Sequence, residues 1–356
     1  MRTYIIAEAG VNHNGSIEMA KELVKVAKEA GADAVKFQTF KAENLVTKTA
    51  KQANYQIENL GKPTSQYEML KKLELKFDEF LALHQYCNKL GIEFLSTPFD
   101  VESVDFLLDK LQIAIAKIPS GELTNSPFVY YIARKQKSII LSTGMATIED
   151  IHEALAFIAF GLAKQSDISI ERVKAFYETI EAKALLKKYV KILHCTTEYP
   201  APFDSINLRT IKEMEKVFGL TIGLSDHSTG TSIPIGAVAL GAQIIEKHFT
   251  LDKTLEGPDH AASLEPHELS DMIKGIRQIE QALGTSLKQP TAVELQNRIS
   301  ARKSLVAKKA IIQGDILSED NLTFKRPGEG ISPSKYWAYL GKVSTKDYEE
   351  DELIDE

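Results

Sequence analysis

Two histidines stand in matching local settings, and imidazoles that close two neighbouring strands can share one metal ion. Ile222-Gly223-Leu224 runs into Ser225-Asp226-His227, and Ile244-Ile245 runs through Glu246-Lys247 to His248, with a small-residue, helix-compatible segment between them. If the two runs are adjacent parallel strands joined by that helix, both rings sit at the same end of one sheet. Two unrelated histidines, each satisfied by local hydrogen bonds, are the competing reading, because this spacing is far looser than a short His-x-x-x-His motif. Two lysines are as unusual. Lys36 and Lys117 alternate with apolar neighbours in Ala34-Val35-Lys36-Phe37 and Ala116-Lys117-Ile118, so each should point into the fold rather than to solvent. A buried ammonium without a counter-charge is expensive, so an anionic ligand or a core carboxylate must meet it.

The elements that position these groups follow a rhythm of short apolar runs, each succeeded by a polar break and an amphipathic stretch. The runs are Tyr4 to Ala7, Ala34 to Phe37, Phe94 to Ser96, Ile113 to Ile118, Ser138 to Ser142, Lys191 to Cys195, Thr221 to Leu224 and Gln243 to Lys247. Helical period marks Ile17 to Ala30 before Gly31, Phe77 to Lys89 before Gly91, Ile148 to Phe160, and a last helix from Glu265 to Leu283. Eight such units over residues 1–283 predict a (β/α)8 TIM barrel, and no Gly-x-Gly-x-x-Gly turn follows the first strand to favour a doubly wound sheet. The charged stretch Lys164 to Lys188 exceeds a barrel crossover and reads as an extra surface helix. Residues 284–297 read as linker, and 298–356, broken by turn residues, as a small β-containing domain that leans on something else.

In a barrel the reactive groups gather at the C-terminal ends of the strands. Lys36 and Lys117, with the hydroxyls of Thr97, Ser120, Ser142 and Ser225 and the backbone at Gly121 and Gly144, would make a pocket for a small, densely anionic ligand such as a phosphorylated carboxylate. Glu8 is either a general acid/base or a structural carboxylate paired with one of those lysines. Gln38, Glu122, Tyr199 and Asp259 would direct hydrogen bonds to a polyhydroxylated second substrate. Composition narrows the partners. A net charge of -6 without a basic cluster argues against nucleic acid, and no apolar run approaches the ~20 residues that span a bilayer. With only Cys87 and Cys195 a disulfide framework is excluded, and residues 1–8 enter a strand pattern with no signal-peptide core, so a cytoplasmic protein is expected.

The ordered blocks Ile6-Ala7-Glu8-Ala9-Gly10-Val11-Asn12-His13-Asn14-Gly15, Val35-Lys36-Phe37-Gln38-Thr39, Leu95-Ser96-Thr97-Pro98-Phe99, Lys117-Ile118-Pro119-Ser120-Gly121-Glu122, Leu141-Ser142-Thr143-Gly144-Met145, Glu246-Lys247-His248-Phe249-Thr250 and Gly257-Pro258-Asp259-His260 resemble the bacterial sialic acid synthase family. The end of the chain, with Lys325-Arg326-Pro327-Gly328, is similar to that family's antifreeze-like (SAF) domain. The resemblance implies condensation of phosphoenolpyruvate with open-chain N-acetylmannosamine and water, giving N-acetylneuraminate and phosphate. The alternative sugar is 2,4-diacetamido-2,4,6-trideoxymannose, giving N,N'-diacetyllegionaminate. It also implies a divalent ion on His227 and His248, manganese before magnesium or cobalt. Phosphoenolpyruvate would lie on Lys36, Thr97, Lys117, Ser120, Ser142 and Ser225, and the sugar on Gln38, Tyr199 and Asp259, with Glu8 or Glu122 moving protons. A homodimer is implied in which the small domain swaps and sends Arg326 to the neighbour's site. Family members differ where this chain has Pro119, Thr197 and Arg302. A Schiff-base aldolase using Lys36 or Lys117, and a non-catalytic sugar-binding protein, are the readings from other classes.

Overall fold

The computed structural model describes residues 2–60 and 64–355, and each apolar run named above is a strand in it. They are β1 (Tyr4–Gly10), β2 (Ala34–Thr39), β3 (Glu93–Pro98), β4 (Ile115–Ile118), β5 (Ser138–Ser142), β6 (Val190–Cys195), β7 (Thr221–Asp226) and β8 (Ile244–His248). Neighbours pair in parallel in the order β3-β2-β1-β8-β7-β6-β5-β4, and β3 lies against β4 at the seam, closing a (β/α)8 barrel. The helices begin and end on their expected signals. Helix Ile17–Ala30 starts where Ser16 accepts a hydrogen bond from Met19 N, stops at Gly31 with φ 91°, and buries Ala20, Leu23, Val24 and Ala27 at helical spacing. Helices Phe77–Leu90, Ile148–Leu162 and Pro266–Ala282 occupy the other predicted stretches. Among the described residues no helix is long and apolar enough to cross a membrane.

Alternation along the strands separates two apolar layers. One alternate set of residues on each strand faces the helices and joins the large outer core, as Ile5, Ala7, Val35, Phe37, Leu141 and Ile245 do. The inward-facing residues Ile6, Ala34, Leu95, Ile140, Leu193 and Ile244 form a separate plug across the barrel axis, with Tyr4 and Ile115 packed against it. β7 contributes Gly223 to this level because the axis is already full. A Cβ there would stand 2.6 Å from Leu193 Cδ2 and 2.5 Å from Ile244 O. Two residues further along, the inward set turns polar: Glu8, Lys36, Thr97, Lys117, Ser142, Cys195, Ser225 and Glu246. The plug therefore forms an apolar base, and the ionisable groups of the cavity stand above it at the strand C-termini.

Three stretches differ from expectation. Lys164 to Lys188 is not one surface helix but two, Ile170–Tyr177 and Ile180–Tyr189, because the Thr179 hydroxyl caps a new start by accepting from Ala182 N. Ala182 and Leu186 of the second helix belong to the outer core, so it is part of the barrel wall. The β2 to Phe77 connection carries three short helices, Ala42–Leu45, Asn54–Leu60 and Gln66–Leu73. Their polar composition shows no sustained period. Residues 284–297, read as linker, enter a helix at Ala292 that runs to Ala301, with a Thr291–Glu294 capping box.

The chain divides into two compact units, Met1–Gly284 and Thr285–Glu356. The second pairs β9 (Ser304–Ala307) with β10 (Leu322–Lys325) in antiparallel register. Its own small core comprises Leu305, Ala307, Ile311, Leu317, Leu322, Tyr348 and Ile354.

Candidate active site

Strand register places the reactive groups in rows. Glu8 lies opposite Lys36 on one side and His248 on the other, Gln38 is level with Thr97, and Ser225 is level with both Cys195 and Glu246. These side chains line a cavity of about 170 Å³ at the C-terminal end of the barrel. Of the residues named from sequence, it brings together Glu8, Lys36, Gln38, Thr97, Lys117, Ser120, Ser142, Tyr199, Ser225, His227 and His248. Asp259, in the β8 loop, is buried within electrostatic reach of His227 and Tyr199. Glu122 does not join them. It sits in a short helical turn, accepts a hydrogen bond from Asn125 Nδ2 at 2.7 Å, and is absent from the cavity wall. Arg326 follows β10 in the second unit and is exposed.

Both lysines are nearly inaccessible, and both resolve the dilemma of a buried charge with the same partner, Glu246. Lys36 Nζ is 2.7 Å from Glu8 Oε2, donates to Thr97 Oγ1 at 2.9 Å and lies 3.7 Å from Glu246 Oε2. Lys117 Nζ donates to Ser142 Oγ at 2.8 Å and lies 3.4 Å from Glu246 Oε1, which also accepts from Ser225 Oγ at 2.9 Å. Burial raises the Glu246 carboxyl, but the two lysines outweigh it and hold the group down to about 2. Glu8 goes the other way. Burial and the Glu246 charge push it up to about 7 against the pull of Lys36, so of the two carboxylates flanking Lys36, Glu8 is the one that takes a proton. Burial also brings the Lys117 amine below its ordinary value, reinforced by the nearby Lys36 charge, whereas Glu246 and Glu8 leave Lys36 above its own. Two cations against one firmly ionised carboxylate leave an electropositive floor, the field the net-acidic chain otherwise lacks.

The floor is completed by a close approach. Gly144 N donates to Ser120 Oγ at 2.9 Å, and a Cβ on Gly144 would stand 2.1 Å from Thr197 Oγ1 and 2.9 Å from Ser120 Oγ, so only glycine lets these loops close. Thr197 Oγ1 is buried in the wall without a hydrogen-bond partner.

The two imidazoles lie with ring centroids 5.4 Å apart at 62°. Metal–nitrogen bonds of about 2.1 Å put a ring centroid about 3.2 Å from the ion, so rings sharing one ion stand roughly 4.5 to 6.5 Å apart. The pair fits. His227 Nδ1 is 2.7 Å from Thr196 O, which places a hydrogen on Nδ1 and makes Nε2 the nitrogen that can face an ion, the second-sphere arrangement common to metal-binding histidines. His248 Nδ1 is buried with no hydrogen-bond partner, and burial beside His227 and Lys36 holds that ring well below the usual imidazole range, hence neutral. No group of three or more His, Cys, Asp or Glu side chains able to hold a metal occurs among the described residues. Any ion here would have two protein nitrogens and open positions for oxygen ligands. Tyr199 stacks on His227 with centroids 4.0 Å apart and meets His248 edge-on at 5.5 Å.

Three contributors escaped the reading of the sequence. Glu246 and Cys195 share inward parity with His248 and Leu193, so strict alternation would have found them. Tyr55, on the short helix Asn54–Leu60, places its ring 5.0 Å from Tyr199, and Asn59 ties that helix to the Asp259 loop by donating to Pro258 O at 2.6 Å. Nothing in its local sequence signals this.

Comparison with known proteins agrees with the geometry. Residues 23–288 match the NeuB family and 302–356 the SAF domain. The chain is 49% identical over 355 residues to the N,N'-diacetyllegionaminic acid synthase of Campylobacter jejuni, covering 100% of this chain and 99% of that one. It is 44% identical to the N,N'-diacetyllegionaminic acid synthase of Legionella pneumophila, covering 96% and 90%. Among solved structures, the N-acetylneuraminic acid synthetase of Leptospira borgpetersenii in complex with citrate superposes with a TM-score of 0.67 at 31% identity, covering 83% of this chain and 90% of that one.

Proposed function

The chain belongs to the NeuB family, and from that premise we propose that it is a synthase that condenses phosphoenolpyruvate with an open-chain N-acylated hexosamine. The observation that carries the reading is the convergence of two buried lysines, four hydroxyls and a histidine pair on one cavity above the apolar plug. Lys36 and Lys117, with Thr97, Ser120, Ser142 and Ser225, hold the phosphate and carboxylate of phosphoenolpyruvate. Gln38, Tyr199 and Asp259 orient the sugar so that its aldehyde carbon faces C3 of the enol. His227 and His248 would hold a divalent ion, manganese first, and bound there it would polarise the aldehyde.

The new bond forms between C3 of phosphoenolpyruvate and C1 of the sugar. Glu8, brought by burial to a value near neutrality so that both protonation states are accessible, gives its proton to the sugar oxygen as that bond forms. The resulting carboxylate accepts a proton from the water that adds at C2, after which the C2–O bond to phosphate breaks, the departing phosphate takes up the C2 hydroxyl proton, and the 2-keto acid is left. Lys117 and Lys36 stabilise the departing phosphate. Glu8→Gln keeps the shape and the contact to Lys36 but cannot cycle a proton. Steady-state kinetics should show kcat lower by about 10²–10⁴-fold with the KM for phosphoenolpyruvate changed less than about threefold; an unchanged kcat would remove Glu8 from the mechanism.

For the sugar, the higher identity to two N,N'-diacetyllegionaminic acid synthases than to the N-acetylneuraminic acid synthetase supports 2,4-diacetamido-2,4,6-trideoxymannose ahead of N-acetylmannosamine. A precursor panel decides. The expected kcat/KM ratio favours the diacetamido sugar by about 10- to 200-fold, the range that one or two differing pocket contacts supply. A ratio inverted by the same margin would assign N-acetylneuraminate as product.

One observation favours a second reading, the depressed Lys117 amine, which suits a Schiff-base aldolase. Borohydride trapping with a keto substrate would label Lys117 in that case and leave the chain unmodified in the synthase.

A further inference from the structure

On the outer side of the same two strands a charged pair stands where apolar residues belong. The helix-facing residues of β7 and β8 are Ile222, Leu224 and Asp226, and Ile245 and Lys247; the three aliphatic ones join the outer core. Asp226 and Lys247 are directly opposite in the ladder and are 2% and 0% exposed. Lys247 Nζ is 2.6 Å from Asp226 Oδ2 and also donates to Ser228 O. Ser228 closes the loop, donating to Asp226 through its backbone N–H at 3.1 Å and through its hydroxyl at 2.8 and 3.0 Å to the two carboxylate oxygens.

Stability does not account for this pair. Two desolvated charges gain little over well-packed apolar side chains of similar size, and such replacements are often neutral or favourable. What the pair supplies is a fixed distance between two backbones. The β7–β8 ladder runs through Leu224–Ile245 and Ser225–Glu246 and ends at Asp226–Lys247, so His227 lies one residue beyond the last register partner. Past that point Lys247, immediately before His248, grips both Asp226 and Ser228, the residues on either side of His227. The His227 peptide is thereby bracketed by a side chain from the strand that carries His248.

We propose that Asp226 and Lys247 are positioning residues: a cross-strand brace, on the far side of the barrel wall from the cavity, that holds the two imidazoles at the spacing one divalent ion requires. The proposal rests on the reading of His227 and His248 as metal ligands. The test uses the full chain and Mn²⁺ alone, with free Mn²⁺ followed by electron paramagnetic resonance. Lys247→Met breaks the brace, and Asp226→Asn with Lys247→Met removes both charges so that no lone carboxylate stays buried. Leu83→Ala, in the buried face of helix Phe77–Leu90, is the control for general loosening. The brace variants should bind Mn²⁺ about 10- to 100-fold more weakly, as loss of outer-shell support does elsewhere. Their affinity for phosphoenolpyruvate without metal should stay within about twofold, and Leu83→Ala should keep Mn²⁺ affinity within the same margin. Folded brace variants with parental Mn²⁺ affinity, or a Leu83→Ala chain weakened as much as they are, would overturn the proposal. His227→Ala separates the two failures. If it loses Mn²⁺ while the brace variants keep it, the brace alone is wrong; if it keeps Mn²⁺, the metal reading is wrong and the brace goes with it.

Discussion

His227→Ala is expected to abolish Mn²⁺ binding and turnover together, lowering kcat/KM by at least about 10³-fold while the barrel stays folded. The size follows from what an ion on this pair would supply, several kcal/mol of charge stabilisation at the aldehyde, together with the loss of one of the two imidazole nitrogens proposed to hold it. Folding should survive because the ring lies beyond β7 and its strongest polar tie is the single bond to Thr196 O, apart from stacking on Tyr199. Metal content by atomic emission, circular dichroism and phosphate-release kinetics on one preparation check all three parts. A metal-free variant with parental turnover would remove the ion from the mechanism.

Lys117→Met should be nearly as damaging for a different reason. The variant deletes a cation from the anion floor and leaves Glu246, 3.4 Å away, facing the incoming phosphate with Lys36 as its remaining counter-charge at 3.7 Å. Removing one donor aimed at an anion in a buried site costs about 2.7–4 kcal/mol, so kcat/KM for phosphoenolpyruvate should fall about 10²–10³-fold. Because Lys117 belongs to the proposed anion side, the loss should be shared between kcat and the KM for phosphoenolpyruvate, with the KM for sugar changed less than about threefold. Initial-rate kinetics with each substrate varied in turn read this directly. Equal losses on both substrates would mean that the two subsites are not separate in the way the cavity wall suggests.

The barrel was legible in the sequence because its strands are buried on both faces and its helices on one, and each leaves its own period. The same logic exposed Lys36 and Lys117, whose charge interrupts an apolar alternation and so demands a partner. That partner went unread. Glu246 lies two residues before His248, and its inward parity could be counted, but its bond to two lysines from β2 and β4 depends on closure of the ring, which local sequence does not encode. Glu122 shows the opposite case. It follows the Lys117 run closely enough to look like a strand-end group, yet the short turn at Ser120–Glu122 rotates it to Asn125 and away from the cavity. Tyr55 was invisible because an inserted helix owes its place to the loop it docks on, here through Asn59 and Pro258. Lys164 to Lys188 reads as one helix in sequence because charge masks the break at Thr179, which a side-chain cap creates.

The most direct measurement of the central claim is the stoichiometry of one reaction mixture containing the purified chain, phosphoenolpyruvate, Mn²⁺ and the diacetamido sugar. Phosphate release and 2-keto acid formation are followed together, with sugar or metal omitted in turn. One phosphate per nine-carbon acid, none without sugar, none with chelator and recovery on adding Mn²⁺ back are the predicted results. Phosphate released in the absence of any acyl sugar, or keto acid formed at the same rate with every divalent ion removed, would contradict the account.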